Sequence, residues 1–349
     1  MFKSIAILTI GTFTASGAAW SADAPIRGAG SSAAAPIYQS WTREFQKTGG
    51  AALNYDPVGS SAGVKKMRAR EVDFGATDVA PSDAELATDG LILLPVAITG
   101  ITPVFNVPKL GDQSLRMSGE VLARIFLGEI TQWNAAEVAA LNPGTALPDL
   151  PIKVVVRSDG SGTTYNFADY LAKVNPGWKD KMGVKTTLTW PAAFIGVKGS
   201  DGVVKAVKET VGAIGYVDFG YTRESRLATL QMKNAEGEFV RASSAAFRTA
   251  LLNSDWAVKG VFTSTLTQRP GKGVWPITMG TFVVMPQLVD QLEKVNPTVS
   301  FFTWALLKGD AAVQDSNFVR LPDRVQGLAF KALSSIKDKA GNRVAVKMF

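Results

Sequence analysis

Three turns in this chain share one composition, in which glycines stand beside small hydroxyl residues directly before a segment with helical periodicity. They are Gly28-Ala29-Gly30-Ser31-Ser32, Gly59-Ser60-Ser61-Ala62-Gly63 and Asp159-Gly160-Ser161-Gly162-Thr163-Thr164. The first backbone N–H groups of a helix lack an internal partner, and the macrodipole adds about half a positive charge there. Glycine lets a ligand approach the backbone closely, and hydroxyl groups add hydrogen-bond donors. Helix capping alone explains any single turn. Three turns predict an oxyanion site if they converge in space.

Two similar patterns would predict nucleotide chemistry instead. Residues 28–33 fit the G-x-G-x-x-A dinucleotide pattern, but no strand is expected before them because the mature N-terminus lies only a few residues away. The third turn resembles a phosphate-binding loop but lacks the Gly-Lys-Ser/Thr that places a lysine on the terminal phosphates. The sequence therefore argues against both dinucleotide binding and nucleotide hydrolysis.

Composition excludes several classes of function. The chain of 349 residues carries a net charge of +7, without Cys or His. The length suits one two-lobed domain or two ordinary ones. Because the basic residues are scattered, we expect no nucleic-acid partner, whereas a modest positive field can steer small anions. The missing residue types remove disulfides, thiolate nucleophiles, the usual zinc sites and the Ser-His-Asp triad. We expect no metal, no cofactor and no catalytic residue.

The first residues have the pattern of a cleavable signal peptide, which we assign to residues 1–21. Lys3 provides a short basic region, Ile5 to Ala19 is mostly apolar, and Ala19-Trp20-Ser21 suits signal peptidase, with cleavage after Ser21. No later segment has about 18 uninterrupted apolar residues. Without Cys there is no lipid anchor through an N-terminal cysteine. The sequence therefore predicts a freely diffusing periplasmic protein.

Helix-like and strand-like segments alternate along the chain, which predicts an α/β architecture. A long apolar stretch from Leu91 to Val107 is interrupted by Pro95, Gly100 and Pro103. The periodicity predicts helices over residues 35–48, 61–69, 118–126, 163–174, 298–307 and 322–334. It predicts strands over residues 53–58, 72–76, 152–156, 212–217 and 277–285.

Longer motifs follow one another across nearly all of the mature chain. They are Gly28–Gly30, Val58–Gly63, Val72-Asp-Phe-Gly-Ala-Thr-Asp78, Leu127-Gly-Glu-Ile-Thr-Gln-Trp133, Val156-Arg-Ser-Asp-Gly-Ser-Gly-Thr163, Gly212-Ala-Ile-Gly-Tyr216 and Trp275-Pro-Ile277. In this order and spacing they resemble the phosphate-binding proteins of bacterial phosphate ABC importers, the PstS family.

The resemblance implies a fold and a set of partners. The fold is the two-lobed α/β Venus flytrap of periplasmic binding proteins, type II-like, with a buried site in the cleft. We expect one lobe from residues 22–98 plus 277–349 and the other from residues 99–276, with hinge crossings at 95–106 and 273–278. The implied ligand is inorganic phosphate. The implied partners are the membrane permease and ATPase subunits of the importer, served by a monomer that is not an enzyme.

The resemblance also carries the family's phosphate-binding positions onto this chain. Ala33 stands where the family usually has an aromatic residue. If the family's contact at this position is made by the backbone N–H, phosphate binding is retained and the pocket wall is looser there or filled from elsewhere. Asp159 is the expected orienting partner of Arg157. The implied phosphate-binding residues are Ser32, Ala33, Ser60, Asp78, Arg157, Ser161, Gly162 and Thr163.

A carboxylate in an anion site has a chemical purpose if the ligand carries a proton. Phosphate near neutral pH keeps at least one O–H that Asp78 can accept, whereas sulfate keeps none. A site built around such a hydrogen bond rejects the analogue lacking it by about 10⁴ or more. Arsenate, protonated like phosphate, remains an alternative ligand. An exported phosphate-ester hydrolase is a second alternative, although its serine would need a Lys or carboxylate base.

Overall fold

Strands and helices alternate from the first described residues onward, and this confirms the α/β class. The computed structural model describes residues 24–112 and 114–346. The predicted signal peptide and its cleavage site lie outside this part of the chain. Within it, none of the helices combines the length and apolar character that a membrane crossing needs.

The elements are numbered in chain order. The strands β1 to β14 are Ile26–Gly30, Leu53–Asp56, Phe74–Thr77, Leu91–Asn106, Arg116–Met117, Lys153–Arg157, Ile195–Val197, Ala213–Asp218, Ala228–Thr229, Gln231–Lys233, Phe239–Val240, Thr278–Pro286, Leu288–Val289 and Lys337–Asp338. The helices α1 to α14 are Ala35–Lys47, Ser60–Arg68, Asp83–Asp89, Gly119–Phe126, Ala136–Leu141, Gly162–Val174, Pro176–Lys181, Gly199–Glu209, Phe219–Ser225, Ser244–Leu252, Asp255–Lys259, Leu292–Lys308, Asp310–Asp315 and Asp323–Leu333.

The principal sheet has two halves that share strand β4. Its order is β2-β1-β3-β12-β4-β8-β6-β7, with β9 also paired to β4. The first part of β4, Leu91 to Gly100, pairs antiparallel with β12, and the second part, Ile101 to Asn106, pairs antiparallel with β8. One continuous strand therefore carries the chain from one half of the sheet to the other.

The apolar stretch around β4 is not interrupted as the sequence suggested. Pro95 and Pro103 both lie inside the strand, although proline cannot donate to a ladder. Opposite Pro95 the register shifts between Thr281 and Phe282. The shift leaves Val96 of β4 without a partner on β12, so the ladder is already irregular beside Pro95.

A strand also precedes the first turn, contrary to our expectation. Gly28 lies within β1, which pairs in parallel with β2 and β3, and Gly28 stands opposite both Tyr55 and Phe74. A Cβ on Gly28 would lie 2.2 Å from the Phe74 ring. Gly28 is therefore needed for the close packing of β1 against the Phe74 ring. The sequence pattern alone could not distinguish this role from that of a glycine in a dinucleotide-binding motif.

Each half of the sheet holds its helices with its own aromatic core. On one side Tyr38 of α1 packs against Phe74 and Phe302. On the other, Phe167 of α6 stacks on Tyr216 with ring centroids 4.2 Å apart. Because α1 and α6 are anchored separately, their N-terminal ends are fixed relative to the strands that precede them.

The elements predicted from periodicity are all present, and their ends mostly agree to within two residues. The largest difference is at α12, which begins at Leu292 rather than at residue 298 and contains Pro297. The predicted start lies directly after Pro297, and a proline in a helix interior removes one backbone hydrogen bond. Near a helix start the ring removes only one hydrogen bond, so the preceding turn can form.

Two helical glycines give a matched test of this packing. A Cβ on Gly63 of α2 would lie 2.4 Å from Gly30 Cα and 2.6 Å from Ala29 O, whereas a Cβ on Gly327 of α14 would meet nothing within 4 Å. We expect Gly63→Ala to lower the free energy of unfolding by about 1–3 kcal/mol through overpacking. Gly327→Ala should raise it by about 0.5–1 kcal/mol through helix propensity. Urea unfolding measures both, and equal effects would contradict the assigned close approach.

Candidate anion-binding site

The three glycine-rich turns meet at the carboxyl ends of parallel strands. Ser61 N–H donates to Gly160 O at 3.0 Å, which joins the second turn to the third. A Cβ on Gly162 would lie 2.5 Å from Ser60 Oγ, and one on Gly59 would lie 2.6 Å from Asp159 Oδ2. Gly59 also has φ +96°, a conformation that other residues rarely adopt. The three turns therefore converge in space, which is the condition that the sequence analysis set for an oxyanion site.

Asp78 lies at the centre of this arrangement, directly after β3, and is 3% exposed. Its Oδ2 accepts hydrogen bonds from Ser31 Oγ at 2.6 Å and from Ser60 Oγ at 3.3 Å. Its backbone N–H donates to the same Ser60 Oγ at 3.2 Å. In the described part of the chain, its buried Oδ1 has no hydrogen-bond partner. Asp78 therefore presents one unused acceptor inside the protein.

Burial is the largest influence on the Asp78 carboxyl and raises its pKa above the usual range. Hydrogen bonding from Ser31 and the charge of Arg157 act in the opposite direction and only partly offset burial. Thr281 also lowers the pKa, although its hydroxyl stands near the carboxyl without ordinary hydrogen-bond geometry. The ionised form of Asp78 thus depends on a few specific neighbours.

Arg157, at the end of β6, is held by Asp159 in the way expected of an orienting pair. Its side chain is 2% exposed, and its Nε and Nη2 donate to the two Asp159 oxygens at 2.6 and 2.5 Å. The N–H of Gly199, at the start of α8, donates to the same carboxylate at 3.2 Å. Burial alone would raise the pKa of Asp159, but the Arg157 hydrogen bonds and charge outweigh it and lower that pKa. The guanidinium is therefore fixed and charged.

Ser32 connects the first turn to the opposite side of the cleft. Its Oγ accepts from Ser200 N–H at 3.1 Å and lies 3.0 Å from Ser200 Oγ, and its carbonyl accepts from Tyr221 Oη at 2.8 Å. All three residues are buried. Ala33, beside Ser32, is buried within the apolar core of the other half. The hydroxyl for which we predicted a ligand bond thus makes contacts across the cleft.

The start of α6 supplies the remaining predicted positions. Ser161 Oγ caps the helix by accepting from Thr164 N–H at 3.1 Å. The amides of Gly162 and Thr163 are the first two of the helix and have no partner within it. Asn166 Nδ2 donates to Asp78 O at 2.8 Å and to Gly162 O at 3.0 Å, so α6 is tied directly to the Asp78 segment.

Sequence reasoning missed several residues of this arrangement. Ser31 belongs to the first turn, but its contact with Asp78 was not predicted, and Asn166 gave no signal, because these contacts span 47 and 88 positions of the chain. Ser200 could have been found, since Gly199-Ser200-Asp201-Gly202 begins α8 with the composition of the three turns. Among residues 24–112 and 114–346, no group of acidic side chains is arranged to hold a metal ion.

A cavity of about 430 Å³ lies at the mouth of the site. Ser32 and Asp159 form its inner wall, and Lys198 and Asp201 stand at the start of α8 beside it. The lining carries both signs of charge, because it includes Lys198 as well as Asp159 and Asp201.

Known proteins are similar in sequence to this chain over most of its length. A family model described as a PBP superfamily domain matches residues 15–267. The phosphate-binding protein PstS of Xylella fastidiosa (strain Temecula1) is 38% identical over 297 residues, covering 85% of this chain and 81% of the relative. That of Haemophilus influenzae is 36% identical over 320 residues, covering 92% of this chain and 94% of the relative. The chain belongs to the PstS phosphate-binding protein family.

A solved structure shares the fold of this PstS family member. It is that of a high-affinity periplasmic phosphate-binding protein bound with phosphate, with a TM-score of 0.67 and 20% identity, covering 90% of this chain and 99% of that one. With the family model, this confirms the predicted two-lobed α/β fold. The predicted lobe boundaries and site residues remain predictions.

A second buried carboxylate of this PstS family member lies where β8 meets β4. Asp218 Oδ2 accepts from Thr99 Oγ1 at 2.6 Å, and its Oδ1 accepts from Gly220 N–H at 2.8 Å. Asp218 stands opposite Ile101, next to the point where β4 passes between the halves of the sheet. Burial is the dominant influence and raises the pKa of Asp218 to about 7.

The raised pKa of Asp218 gives stability a defined pH dependence. The folded chain holds this proton at pH values where the unfolded chain has lost it, so stability is greatest below about pH 4 and falls until about pH 7. A difference of one between the folded and unfolded pKa corresponds to about 1.4 kcal/mol. We expect Asp218→Asn to remove this contribution and to be more stable than wild type at pH 8, with the difference vanishing near pH 4. Urea unfolding across this range measures the difference, and a constant one would contradict the assignment.

Proposed function

We propose that this protein binds inorganic phosphate between its lobes and delivers it to an ABC-type phosphate importer. The observation that carries the proposal is the buried Asp78 carboxylate, whose Oδ1 has no hydrogen-bond partner in the described chain. It lies among the turns that begin α2 and α6, with the Arg157 charge acting on it. An acceptor surrounded by groups that favour an anion suits a ligand that is both negatively charged and protonated.

The donors in this proposal follow the positions predicted from the family. Arg157 supplies the charged hydrogen bonds, and its fixed geometry suits an oxyanion. The amides of Gly162 and Thr163, together with that of Ala33, supply neutral donors that cost no charge. The side-chain hydroxyls proposed to donate to phosphate are those of Ser32, Ser161 and Thr163. The Ser60 hydroxyl can donate to phosphate only when its single proton leaves the 3.3 Å contact with Asp78 Oδ2. Arsenate shares the proton and tetrahedral shape of phosphate, so it is a competing ligand.

Closure of the cleft follows from the contacts between the turns. In the proposed division, residues 22–98 and 277–349 form one lobe and residues 99–276 the other, with crossings at 95–106 and 273–278. Ser61 N–H to Gly160 O, Asn166 Nδ2 to Asp78 O and the Ser32–Ser200 contact then all join the two lobes. We infer a hinge motion that makes these bonds on closure over the ligand.

Delivery and location complete the proposal. The predicted signal peptide places the mature monomer in the periplasm, without a lipid anchor. The closed protein then presents a surface formed by both lobes to the permease, and the importer's ATPase supplies the energy. Relatives named as phosphate-binding proteins and the motifs of the binding turns support this role.

The role of Asp78 is tested by its amide variant. We expect wild type to prefer phosphate over sulfate by about 10⁴ or more, because sulfate meets a carboxylate without bringing a proton. Asp78→Asn should lose at least a hundredfold of this preference, about 2.7 kcal/mol, since its amide can donate to sulfate. Calorimetric titration with both anions measures the ratio.

The matched control is Asp56→Asn, which makes the same charge change at an exposed position at the end of β2. It should retain the wild-type preference. Unchanged discrimination in Asp78→Asn would remove Asp78 from the site. A wild-type protein that binds neither phosphate nor arsenate would reject the proposed function itself.

The role of Ser32 is tested against its partner. If Ser32 Oγ also donates to phosphate, Ser32→Ala should weaken phosphate binding by about 1–3 kcal/mol, and Ser200→Ala by less, because the latter loses only a contact across the cleft. Calorimetry of both variants and the double variant measures the coupling. If the two single variants lose the same phosphate affinity and the double variant loses no more, Ser32 acts only through its contact with Ser200 and does not donate to phosphate.

A further inference from the structure

Ser31 makes a shorter hydrogen bond to Asp78 than Ser60 does, yet the family positions do not include it. The residue is 1% exposed, and its Oγ lies 2.6 Å from Asp78 Oδ2. The corresponding distance from Ser60 Oγ is 3.3 Å. The closer hydroxyl therefore has the stronger influence on this carboxylate.

The direction of the Ser31 hydroxyl follows from counting hydrogens. Ala34 N–H donates to Ser31 Oγ at 3.3 Å and occupies one of its lone pairs. A serine hydroxyl has a single proton to donate. An ionised carboxylate has none, so the Ser31 proton points to Asp78 Oδ2. Oδ2 is thereby engaged from within the protein, and Oδ1 is left as the acceptor for a ligand.

We propose that Ser31 is a positioning and specificity-determining residue: it keeps Asp78 ionised and turned so that Oδ1 accepts the proton of the bound oxyanion. The proposal rests on the proposed function. Two consequences follow from it. Ser31 sets the lower pH limit of phosphate binding, and it prevents Asp78 from becoming a donor to an unprotonated anion such as sulfate.

The other groups that act on Asp78 must be separated from this effect. The charge of Arg157 lowers the pKa of Asp78 and so favours its carboxylate form. Burial raises the pKa of Tyr38 and of Tyr55 well above the ordinary tyrosine range, so both stay neutral in the acid range. The Asp218 carboxyl interacts with Asp78, and its pKa is raised to about 7. Asp218 is therefore the group whose titration overlaps with the measurement.

The test is the pH profile of anion binding by Ser31→Ala. Affinities for phosphate and for sulfate are measured by calorimetry between about pH 5 and pH 8.5, a range around the ordinary titration of phosphate. Without the Ser31 hydrogen bond, we expect the acid midpoint of phosphate binding to rise by about one pH unit. The protonated fraction of Asp78 then grows, so sulfate affinity at mildly acidic pH should increase by up to about tenfold.

Matched variants assign the effect to Ser31. Ser40→Ala removes a hydroxyl of α1 that accepts from Arg43 and lies outside the three turns, so its acid midpoint should equal that of wild type. In an Asp218→Asn background, Ser31→Ala should still shift the midpoint. In an Asp78→Asn background, it should produce no shift, because the carboxylate on which it acts is gone.

The outcomes separate this proposal from the proposed function. If wild type binds phosphate but Ser31→Ala shows neither a shifted acid midpoint nor a changed sulfate affinity, the role of Ser31 is overturned. The proposed phosphate site is unaffected by that result. A shift that persists in the Asp78→Asn background would also overturn it. Thermal unfolding followed by circular dichroism accompanies each variant. If Ser31→Ala does not fold, Ser31→Thr, which keeps the hydroxyl, must reproduce the wild-type midpoint, and a shifted midpoint there would overturn the proposal.

Discussion

The structure depends on a buried carboxylate placed inside a site whose other groups favour a negative ligand. Burial destabilises the charge of Asp78, and a bound oxyanion would repel it. The arrangement is favourable only if the carboxylate is stabilised by its own donors and the ligand brings a proton to its free oxygen. Ser31, Ser60 and Arg157 supply that stabilisation, so the selectivity that we propose depends on how these neighbours hold Asp78.

The fold provides these neighbours by bringing strand ends and helix starts to one place. The parallel strands β1 and β3 end at the site from one half of the sheet, and β6, which is parallel to β8, ends there from the other half. In α/β proteins such strand ends form the usual binding crevice. The helices that follow are anchored in two separate aromatic cores. The halves are joined through the continuous strand β4, and each half carries its own part of the proposed site.

Local sequence patterns were sufficient for the elements and for several individual contacts. The turns before α1, α2 and α6 carry glycine and hydroxyl residues. The Ser161 cap of α6 and the positive φ of Gly59 before α2 are local properties of these turns. The Arg157–Asp159 pair is also local, because its members are two residues apart. Patterns failed where a distant strand changed the outcome. Gly28 belongs to a strand because β2 and β3 pair with it, and Pro95 is accommodated because β12 shifts its register there.

Short motifs and periodicity were enough to establish the α/β class, the family, and the residue types available for an oxyanion site. Which hydroxyl faces which partner, in contrast, became known only from the packing of distant elements. Ser31 and Ser32 are adjacent in the chain and alike in chemistry, yet one bonds Asp78 and the other contacts Ser200 across the cleft. The physical reason is that side-chain direction is set by the elements packed around a turn, and these elements come from positions 47 and 168 residues away.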